Sequence, residues 1–300
     1  MAVSFNSLGE LGRLGNQMFQ YAFLFNLNNL ENTTIKIPNV KKKKSSDYKL
    51  PKVFNLNNEI EYSESSFERL VFEKNVNTVT YDKRIKNIQF EEKDIYGYFQ
   101  SYKYFDHIKE IVVKNFQFKS EIKKVVDKLL HDNHLNVDNY FFIHIRGSDY
   151  LKKSEFHFNL DQMYYKKSLK YFPSDMKCII FTDDVGYAKK FKIFQQSRFQ
   201  YFNDFKFEKN QSIKDAYELY LMTLCNGGII ANSSFSWWGA YLQNSIDNVI
   251  VAPNYKYWFG YRYSFNAEEL IYPSWLQIRP GWASILKNKF DWFFYKIKLL

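Results

Sequence analysis

The sequence predicts an α/β protein built on parallel sheets, and three observations support this. From residue 140 onward, short apolar runs of strand length alternate with segments of helix length. The runs are apolar without interruption, so both faces of each strand are expected to be covered by helices. Polar and charged side chains follow the ends of several runs, and ligands bind at that edge of a parallel sheet.

The first half of the chain shows fewer such elements. A glycine turn and an apolar run at 12–30 predict a helix, and TTIKIP at 33–38 predicts a strand. Residues 94–105 predict a strand that leads into a helix, and apolar side chains recur at helical spacing over 107–131. The turn-rich residues 131–139 predict a domain boundary.

The second half follows a regular order of strands and helices. The predicted strands are YFFIHI, KCIIFT, FQYFN, GGIIAN and NVIVAP. The predicted helices are LDQMYYKKSLKYF, DDVGYAKKF, SIKDAYELYLMTLC and SSFSWWGAYLQNS. The polar side chains that follow strand ends are Arg146, Asp183, Asp184, Asn232, Ser233 and Ser234. Because the carboxyl ends of parallel strands share one edge, we expect these side chains to converge on one site.

Composition limits the class of protein. The 300 residues, of which 46% are hydrophobic and 25% charged, are typical of a globular chain of two domains. A net charge of +10 favours a phosphate-bearing partner, which leaves nucleic acid, an anionic membrane surface and a nucleotide substrate as candidates. The basic residues are spread along the chain and form no basic-aromatic clusters, so we expect no nucleic-acid partner.

Cysteine usage and the N-terminus predict a cytoplasmic protein. Cys178 and Cys225 lie in apolar stretches and are expected to be core thiols in a reducing compartment. The sequence has neither a signal-peptide pattern nor an apolar stretch of membrane-spanning length. No Cys/His spacing typical of a zinc site occurs, so no metal is expected.

The motif HIRGSDY (144–150) ends a buried strand with charged groups. Arg146 has a planar guanidinium suited to bidentate contact with a diphosphate. The alternative is an ion pair between Arg146 and Asp149 within a turn. His144, inside the strand, is either a core histidine or a ligand or base.

The motif ANSSFSWWGAYL places Asn232, Ser233 and Ser234 at the start of a helix. Backbone N–H groups and hydroxyls at such a start form an anion site. Ordinary capping of the helix by one of the serines is the alternative. The adjacent Asp183 and Asp184 in FTDDVG are expected to contact a nucleoside or to cap the next helix.

The motif GRLGNQMFQYA matches neither a dinucleotide-binding nor a P-loop pattern. Its glycines allow close approach of the backbone, while Arg13, Asn16 and Gln17 supply polar groups. A substrate loop and a helix-capping turn both fit this pattern.

Together these motifs resemble glycosyltransferase family 11, the inverting alpha-1,2-fucosyltransferases, in its bacterial surface-polysaccharide type. The family pattern is G-G-L-G-N-Q-M-F-Q-Y-A, G-Y-F-Q-S, H-I-R-R-G-D-Y, F-S-D-D and N-S-S-F-S-W-W-G-A. This chain has GRLGNQMFQYA, GYFQS, HIRGSDY, FTDD and NSSFSWWGA in the same order, within residues 8–278.

The resemblance implies a GT-B fold, with two Rossmann-like domains whose parallel sheets face a cleft. Residues 1–135 would form the N-terminal domain on the acceptor side, and 136–278 the GDP-fucose-binding domain. The implied reaction transfers L-fucose from GDP-fucose to the 2-hydroxyl of a terminal galactose, without cofactor or essential metal, in O-antigen or other surface glycan synthesis. The alternatives are an inactive glycan- or nucleotide-sugar-binding module and a fucosyltransferase of another linkage.

The resemblance also implies roles for single residues. Arg146 would bind the donor diphosphate, and His144 and Asp149 belong to the same catalytic motif. His157, Asp149 and Glu155 are the candidates for the general base, and His157 stands where the family also tends to carry a histidine. The donor-binding set comprises Arg13, Asn16, Gln17, Asp183, Asp184, Asn232, Ser233, Ser234 and Phe235.

Three of the departures from the family pattern concern the expected donor site. Gly147 stands where the family has a second arginine, and Ser148 stands where it has a glycine. Arg13 replaces the second glycine of the first motif. Related protein O-fucosyltransferases keep one arginine in a similar stretch and begin with G-R-F-G-N-Q. We therefore hypothesise that Arg13 supplies the missing positive charge.

Residues 279–300 predict a basic amphipathic helix. Arg279 and four lysines stand against Asp291 alone. The side chains at helical spacing are Trp282, Leu286, Phe290, Phe293, Ile297 and Leu300. Such a helix can lie in an anionic membrane interface, which would suit a lipid-linked acceptor and a peripheral position on the inner face of the cytoplasmic membrane. The alternative is packing against its own domain or a partner.

Overall fold

The structure, a computed structural model, describes residues 2–31, 33–41, 47–56, 60–71, 79–207, 210–243, 245, 247–263 and 265–299. It consists of two compact units. The first comprises Met1–Ile122 and Glu268–Leu270, and the second Lys123–Ala267 and Ile271–Leu300. The boundary that the sequence predicts, between residues 135 and 136, lies in the turn before the first strand of the second unit.

The first unit contains a parallel sheet with the strand order β3-β2-β1-β5-β4. Its strands are β1 (Ala2–Ser4), β2 (Thr34–Lys36), β3 (Ile60–Glu61), β4 (Glu68–Val71) and β5 (Lys93–Tyr96). Its helices are α1 (Leu14–Glu31), α2 (Leu50–Val53), α3 (Lys109–Asn115) and the first turn of α4 (Ser120–Asp132). The predicted helix at 12–30 and strand at 33–38 are confirmed.

The helical pattern over 107–131 belongs to two helices and not to one. α3 ends at Asn115, α4 begins at Ser120, and between them Phe118 pairs with Phe54 in an isolated antiparallel bridge. The ring centroids of Phe116 and Phe118 lie 5.0 and 4.8 Å from that of Phe54. Burial of these aromatic rings favours the break, because a continuous helix would turn one of them away.

The second unit contains a parallel sheet with the order β11-β10-β9-β6-β7-β8. Its strands are β6 (Tyr140–Ile145), β7 (Lys177–Thr182), β8 (Phe199–Tyr201), β9 (Gly228–Ile229), β10 (Ile250–Pro253) and β11 (Leu276–Ile278). Besides the rest of α4, its helices are α5 (Ser148–Lys152), α6 (Gln162–Ser168), α7 (Val185–Ala188), α8 (Lys214–Leu224), α9 (Ser234–Tyr241) and α10 (Trp282–Leu299).

All six residues of β6 are buried, because β7 and β9 flank the strand and helices cover both faces. The Tyr164 hydroxyl donates to the Ile230 carbonyl at 2.7 Å, and the Tyr165 hydroxyl donates to the His144 carbonyl at 3.1 Å. α6 is thereby tied to the sheet by polar as well as apolar contacts. The predicted α/β class with two parallel sheets is confirmed.

Candidate functional site

The strand order of the second unit reverses direction at β6. From β6 the chain proceeds outward through β7 and β8, and then returns to β9 on the other side and continues through β10 and β11. A crevice forms at such a reversal, because the two following connections leave the sheet on opposite faces. The HIRGSDY motif follows β6 and the NSSFSWWGA motif follows β9, so both lie at this point.

Two carboxylates hold the Arg146 guanidinium at the end of β6. Its Nη2 donates to Asp149 Oδ1 at 2.6 Å, and its Nη1 lies 2.7 Å from Asp183 Oδ2. The side chain of Arg146 is 15% exposed. The ion-pair alternative therefore describes Arg146, and its contact with a diphosphate stays a prediction. Arg146 is ion-paired within the turn, and it also stands at the ligand-binding edge of the sheet.

Tyr150 connects Arg146 with the start of α9. The Arg146 guanidinium lies 5.1 Å from the centre of the Tyr150 ring, and the Tyr150 hydroxyl donates to the Asn232 carbonyl at 3.1 Å. The Tyr150 ring also stacks on the His157 ring, with centroids 3.9 Å apart and planes within 4°. Tyr150 was not among the predicted site residues, although it lies in the same motif, four residues after Arg146.

His157 lies beside the Arg146–Asp149 pair. Its backbone pairs with Phe259 in an isolated antiparallel bridge, which fixes its position independently of the stack. Burial lowers the pKa of His157 to about 4; the positive Arg146 and Lys153 act in the same direction, and Asp149 opposes them. His157 is therefore a neutral imidazole at neutral pH. Glu155, the rival base, is half-buried, and its carbonyl accepts from the Arg262 N–H at 3.0 Å.

Ser233 caps α9, as the capping alternative predicts. Its hydroxyl accepts from the Phe235 N–H at 3.4 Å, while Ser234 and Phe235 are half-buried in the first turn. Asn232 is buried, and its Nδ2 donates to the carbonyls of Phe158 and Trp258 at 2.9 and 2.7 Å. The Asn232 amide thus fixes the strand end, and its contact with the donor stays a prediction.

His144 is buried within β6, where its Nδ1 lies 2.8 Å from Ser236 Oγ of α9. Burial and the nearby Arg146 charge lower the pKa of His144 to about 3. An imidazole so enclosed positions α9 against β6. The catalytic role expected for His144 stays a prediction.

The two aspartates after β7 differ in role. Asp183 faces β6, because its Oδ1 accepts the Gly147 N–H at 2.8 Å while its other oxygen faces Arg146. Asp184 caps α7 by accepting the Tyr187 N–H at 2.9 Å. Of the two roles expected for this pair, helix capping is the one that Asp184 has.

In the first unit, Arg13 is exposed and Asn16 half-buried at the start of α1. Asn16 Oδ1 accepts from Gln100 Nε2 at 2.7 Å. Gln17 is buried, and its Nε2 donates to the carbonyls of Gly12 and Asp47 at 3.2 and 2.6 Å. Its Oε1 accepts the N–H groups of residues 49 and 50. Gln17 therefore holds its own loop together, and its contact with the donor stays a prediction.

Within the described ranges, no group of three or more His, Cys, Asp or Glu side chains is placed to hold a metal ion. No described helix has both the length and the apolar character needed to cross a bilayer.

The sequence model of "Glycosyl transferase family 11" matches residues 4–279. The chain belongs to glycosyltransferase family 11. The match includes every motif on which the resemblance rested, from GRLGNQ to NSSFSWWGA.

Among characterised relatives, the family 11 chain is 28% identical to the O-antigen biosynthesis glycosyltransferase WbnK of Escherichia coli. That match spans 61% of this chain and 60% of the relative's length. An alpha-1,2-colitosyltransferase of Escherichia coli is 27% identical over 81% of this chain and 89% of its own length. The galactoside 2-alpha-L-fucosyltransferase Sec1 of Mus musculus is 24% identical over 89% of this chain and 72% of its own length.

Among solved structures, the family 11 chain resembles the alpha-1,6-fucosyltransferase NodZ of Bradyrhizobium, co-crystallised with GDP. The TM-score is 0.52 at 12% identity, with 79% of this chain and 90% of that chain covered. It also resembles a glycosyl transferase of family 9 from Veillonella parvula, with a TM-score of 0.51 at 10% identity over 97% and 90% of the two chains. These likenesses concern the fold, and the predicted GT-B class is confirmed.

Proposed function

We propose that this family 11 chain is an inverting GDP-fucose-dependent galactoside alpha-1,2-fucosyltransferase. The observation that supports this most directly is the position of Arg146. It stands where the strand order reverses, fixed by Asp149 and Asp183 and joined through Tyr150 to the start of α9. A guanidinium beside a helix N-terminus suits a diphosphate, because both bear positive charge where the ligand is negative.

The proposed reaction is a direct displacement. The acceptor hydroxyl oxygen bonds to the fucose anomeric carbon on the face opposite GDP, while the bond from that carbon to the phosphate oxygen breaks. The configuration changes from β to α, and the negative charge develops on the departing phosphate oxygen. Arg146 and the first N–H groups of α9 would stabilise that charge, a task worth a few kcal/mol for each donor group.

We propose His157 as the group that receives the acceptor proton. Its imidazole is neutral at neutral pH because burial lowers its pKa to about 4, so it can accept a proton. Asp149 is bound to Arg146 at 2.6 Å, and that contact favours an orienting role for Asp149. A base with so low a pKa is weak in the ground state, so proton transfer would be late in the displacement.

On the donor side, we propose that Arg13 and Asn16 contact the fucose or the pyrophosphate. Arg13 is exposed at the start of α1, and it would supply the positive charge that the family's second arginine provides elsewhere. Asp183 would act by orienting Arg146, and Ser233, Ser234 and Phe235 would present the phosphate-binding helix start.

The proposed acceptor is a galactose-terminated oligosaccharide of O-antigen or another surface glycan, carried on a lipid at the inner face of the cytoplasmic membrane. The relative named for O-antigen biosynthesis and the relative named as a galactoside fucosyltransferase support the two parts of this proposal. The exposed apolar face of α10 supports the location.

A second candidate function is transfer of colitose instead of fucose. It is favoured by the colitosyltransferase that matches 81% of this chain. Colitose differs from fucose by the absence of one hydroxyl, so a site that hydrogen-bonds that hydroxyl would discriminate strongly between the two donors.

A donor and acceptor screen tests both candidates. The purified chain is incubated with GDP-fucose or GDP-colitose and β-galactosyl acceptors, and the product linkage is determined by NMR. We expect an α-1,2-linked fucosyl product, and none from the Arg146→Ala variant. Preference for colitose would establish the second candidate. Binding of GDP-fucose without hydrolysis or transfer would show the inactive binding module, and a different linkage would overturn the acceptor assignment.

A further inference from the structure

The C-terminal helix α10 is attached to the second unit by its polar side. Ser284 and Asn288 are 6% and 1% exposed, and both contact Asn159: the Ser284 hydroxyl donates to the Asn159 carbonyl at 2.6 Å, and Asn288 Oδ1 accepts the Asn159 N–H at 3.0 Å. Ile285 joins the core at the same face. The Gly281 N–H donates to Asp161 Oδ1 at 3.1 Å and fixes the start of the helix.

The opposite side of α10 exposes large apolar side chains. Trp282 is 70% exposed and Phe290 58%, and the other members of this face are Leu286, Phe293, Phe294 and Ile297. At about 100° per residue these side chains fall within one sector of about 120°. A helix on the surface of a globular protein normally has the reverse arrangement, with its apolar stripe inward. Leu300, predicted to extend this face, lies outside the described residues.

Lysines border the apolar sector on both sides. By the same helical periodicity, Lys289 and Lys296 lie along one border and Lys287 and Lys298 along the other. Lys296 Nζ lies 5.0 Å from the Trp292 ring centre, which directs one ammonium along the flank of the helix. In such positions the long lysine side chains can extend to an anionic surface, so that their charges stay in water while the apolar sector is buried in the bilayer.

We propose that α10 binds the enzyme to the surface of an anionic lipid bilayer. The helix would lie in the plane of the interface with the Trp282–Ile297 face among the acyl chains and the four lysines at the level of the phosphates. This proposal explains how the protein would reach the membrane location named under the proposed function. It rests on the proposed function only for the nature of the acceptor. A second copy of the chain is a poorer occupant, because two such faces in contact would bring eight lysines together.

Vesicle sedimentation of the full chain tests this. Vesicles of phosphatidylcholine with phosphatidylglycerol are compared with pure phosphatidylcholine at low and high salt. We expect binding to the anionic vesicles that weakens as salt rises. Replacing both Lys289 and Lys296 by Gln should lower partitioning about thirtyfold, since each basic residue contributes about 1 kcal/mol near such a surface.

Two matched triple variants test whether vesicle binding depends on the apolar face of α10 or on exposed apolar side chains in general. The face variant carries Leu286→Gln, Phe290→Gln and Phe293→Gln, and the control carries Tyr171→Gln, Val249→Gln and Leu276→Gln at exposed positions elsewhere in the unit. The face variant should lose at least about tenfold in partitioning, and the control less than about twofold.

Turnover of a water-soluble acceptor distinguishes failure of the membrane-binding proposal from failure of the proposed transferase activity. The face variant should turn over such an acceptor like the unmodified enzyme, so failure of the transfer assay would leave the vesicle result standing. Absence of binding to anionic vesicles would overturn the inference. A dimer in light scattering that the face variant alone dissociates would also overturn it, in favour of a second copy.

Discussion

The Nη1 atom of Arg146 lies 2.7 Å from Oδ2 of Asp183, and the two residues follow neighbouring strands, β6 and β7. The same carboxylate accepts the N–H of Gly147 at 2.8 Å. Asp183 therefore fixes both the arginine side chain and the backbone that follows it. The direction of the guanidinium is set before any ligand arrives, which lowers the cost of reorganisation during a reaction.

Arg146→Lys should lower kcat by about 10² to 10³-fold. A lysine keeps the charge, but a single ammonium cannot satisfy Asp149 and Asp183 in the same planar geometry and also address a diphosphate. Steady-state kinetics with GDP-fucose measures the effect. Arg198→Lys is the control, since Arg198 precedes β8 at the amino edge of the sheet and its Nη1 donates to the carbonyls of residues 173 and 174. Near-normal turnover of Arg146→Lys would contradict the proposed role.

His157→Ala should lower kcat by about 10² to 10⁴-fold with little change in the KM for GDP-fucose, because it removes a base and leaves the donor contacts. The folded enzyme holds His157 neutral above a pKa of about 4. The rate of the unmodified enzyme should therefore show no acid limb between pH 5 and 7. The control His131→Gln changes an exposed histidine. An acid limb near the ordinary histidine pKa that disappears in His157→Ala would contradict the lowered pKa.

Gly147→Arg restores the residue that the family pattern has at this position, yet it should reduce turnover. A Cβ at residue 147 would lie 2.8 Å from the Asp184 Cβ and 3.3 Å from the Tyr187 ring. The loop that carries Asp183 must then move, at a cost of about 1 to 3 kcal/mol in the free energy of unfolding. Thermal unfolding and kinetics measure both effects. Gly186→Ala is the control, since among the described residues the nearest side-chain atom to its Cβ would be Asp184 Oδ1 at 3.6 Å. Higher turnover at unchanged stability would refute this account of Gly147.

Ser148→Gly should preserve or raise the free energy of unfolding. Ser148 has a φ of +38°, near the left-handed region that disfavours residues with a Cβ by about 1 kcal/mol or more. Its hydroxyl donates to the Asp183 carbonyl at 3.1 Å, which offsets part of that cost. Urea unfolding of Ser148→Gly, Ser148→Ala and Ser148→Val should give decreasing stability in that order. A valine variant as stable as the glycine variant would show that the backbone is unstrained.

The second unit could be predicted well because its strands and helices alternate with distinct periods. In the first unit, β1, β3 and β4 contain three, two and four residues, too few to show a period. No local pattern signals that Glu269 joins the first unit. Its carboxylate accepts from the Ser101 hydroxyl at 2.9 Å and from Lys103 Nζ at 2.7 Å, across more than 160 positions of sequence.

In the candidate site, too, features that depend on local sequence could be predicted, and features that depend on contacts between distant residues could not. The strand-end rule found Arg146 and Asp183 because it depends only on where strands stop. It did not separate groups that face a ligand from groups that hold the backbone. Gln17 and Asn232 belong to the second kind, since carbonyls distant in sequence occupy their amides. Tyr150 was overlooked because its role depends on contacts with residues 146, 157 and 232.

His144 should make the stability of the protein depend on pH in a defined window. Its pKa is about 3 in the folded protein, because of burial and the Arg146 charge, and about 6.5 when unfolded. The unfolded chain therefore binds the proton first as pH falls. The stabilisation is complete above about pH 6.5 and is lost progressively toward pH 3. Glu218, whose pKa burial raises to about 7, opposes this trend, so the comparison must be made between variants.

The test compares the free energy of urea unfolding of the unmodified protein and of His144→Gln at pH 7.5 and pH 5. The linkage relation gives a loss of about 2 kcal/mol from His144 over this interval. The destabilisation caused by His144→Gln at pH 7.5 should therefore shrink by about 2 kcal/mol at pH 5, while the contribution of Glu218 cancels. A pH-independent effect of His144→Gln would mean that His144 keeps an ordinary pKa, and that its contact with Ser236 does not exclude the charged form.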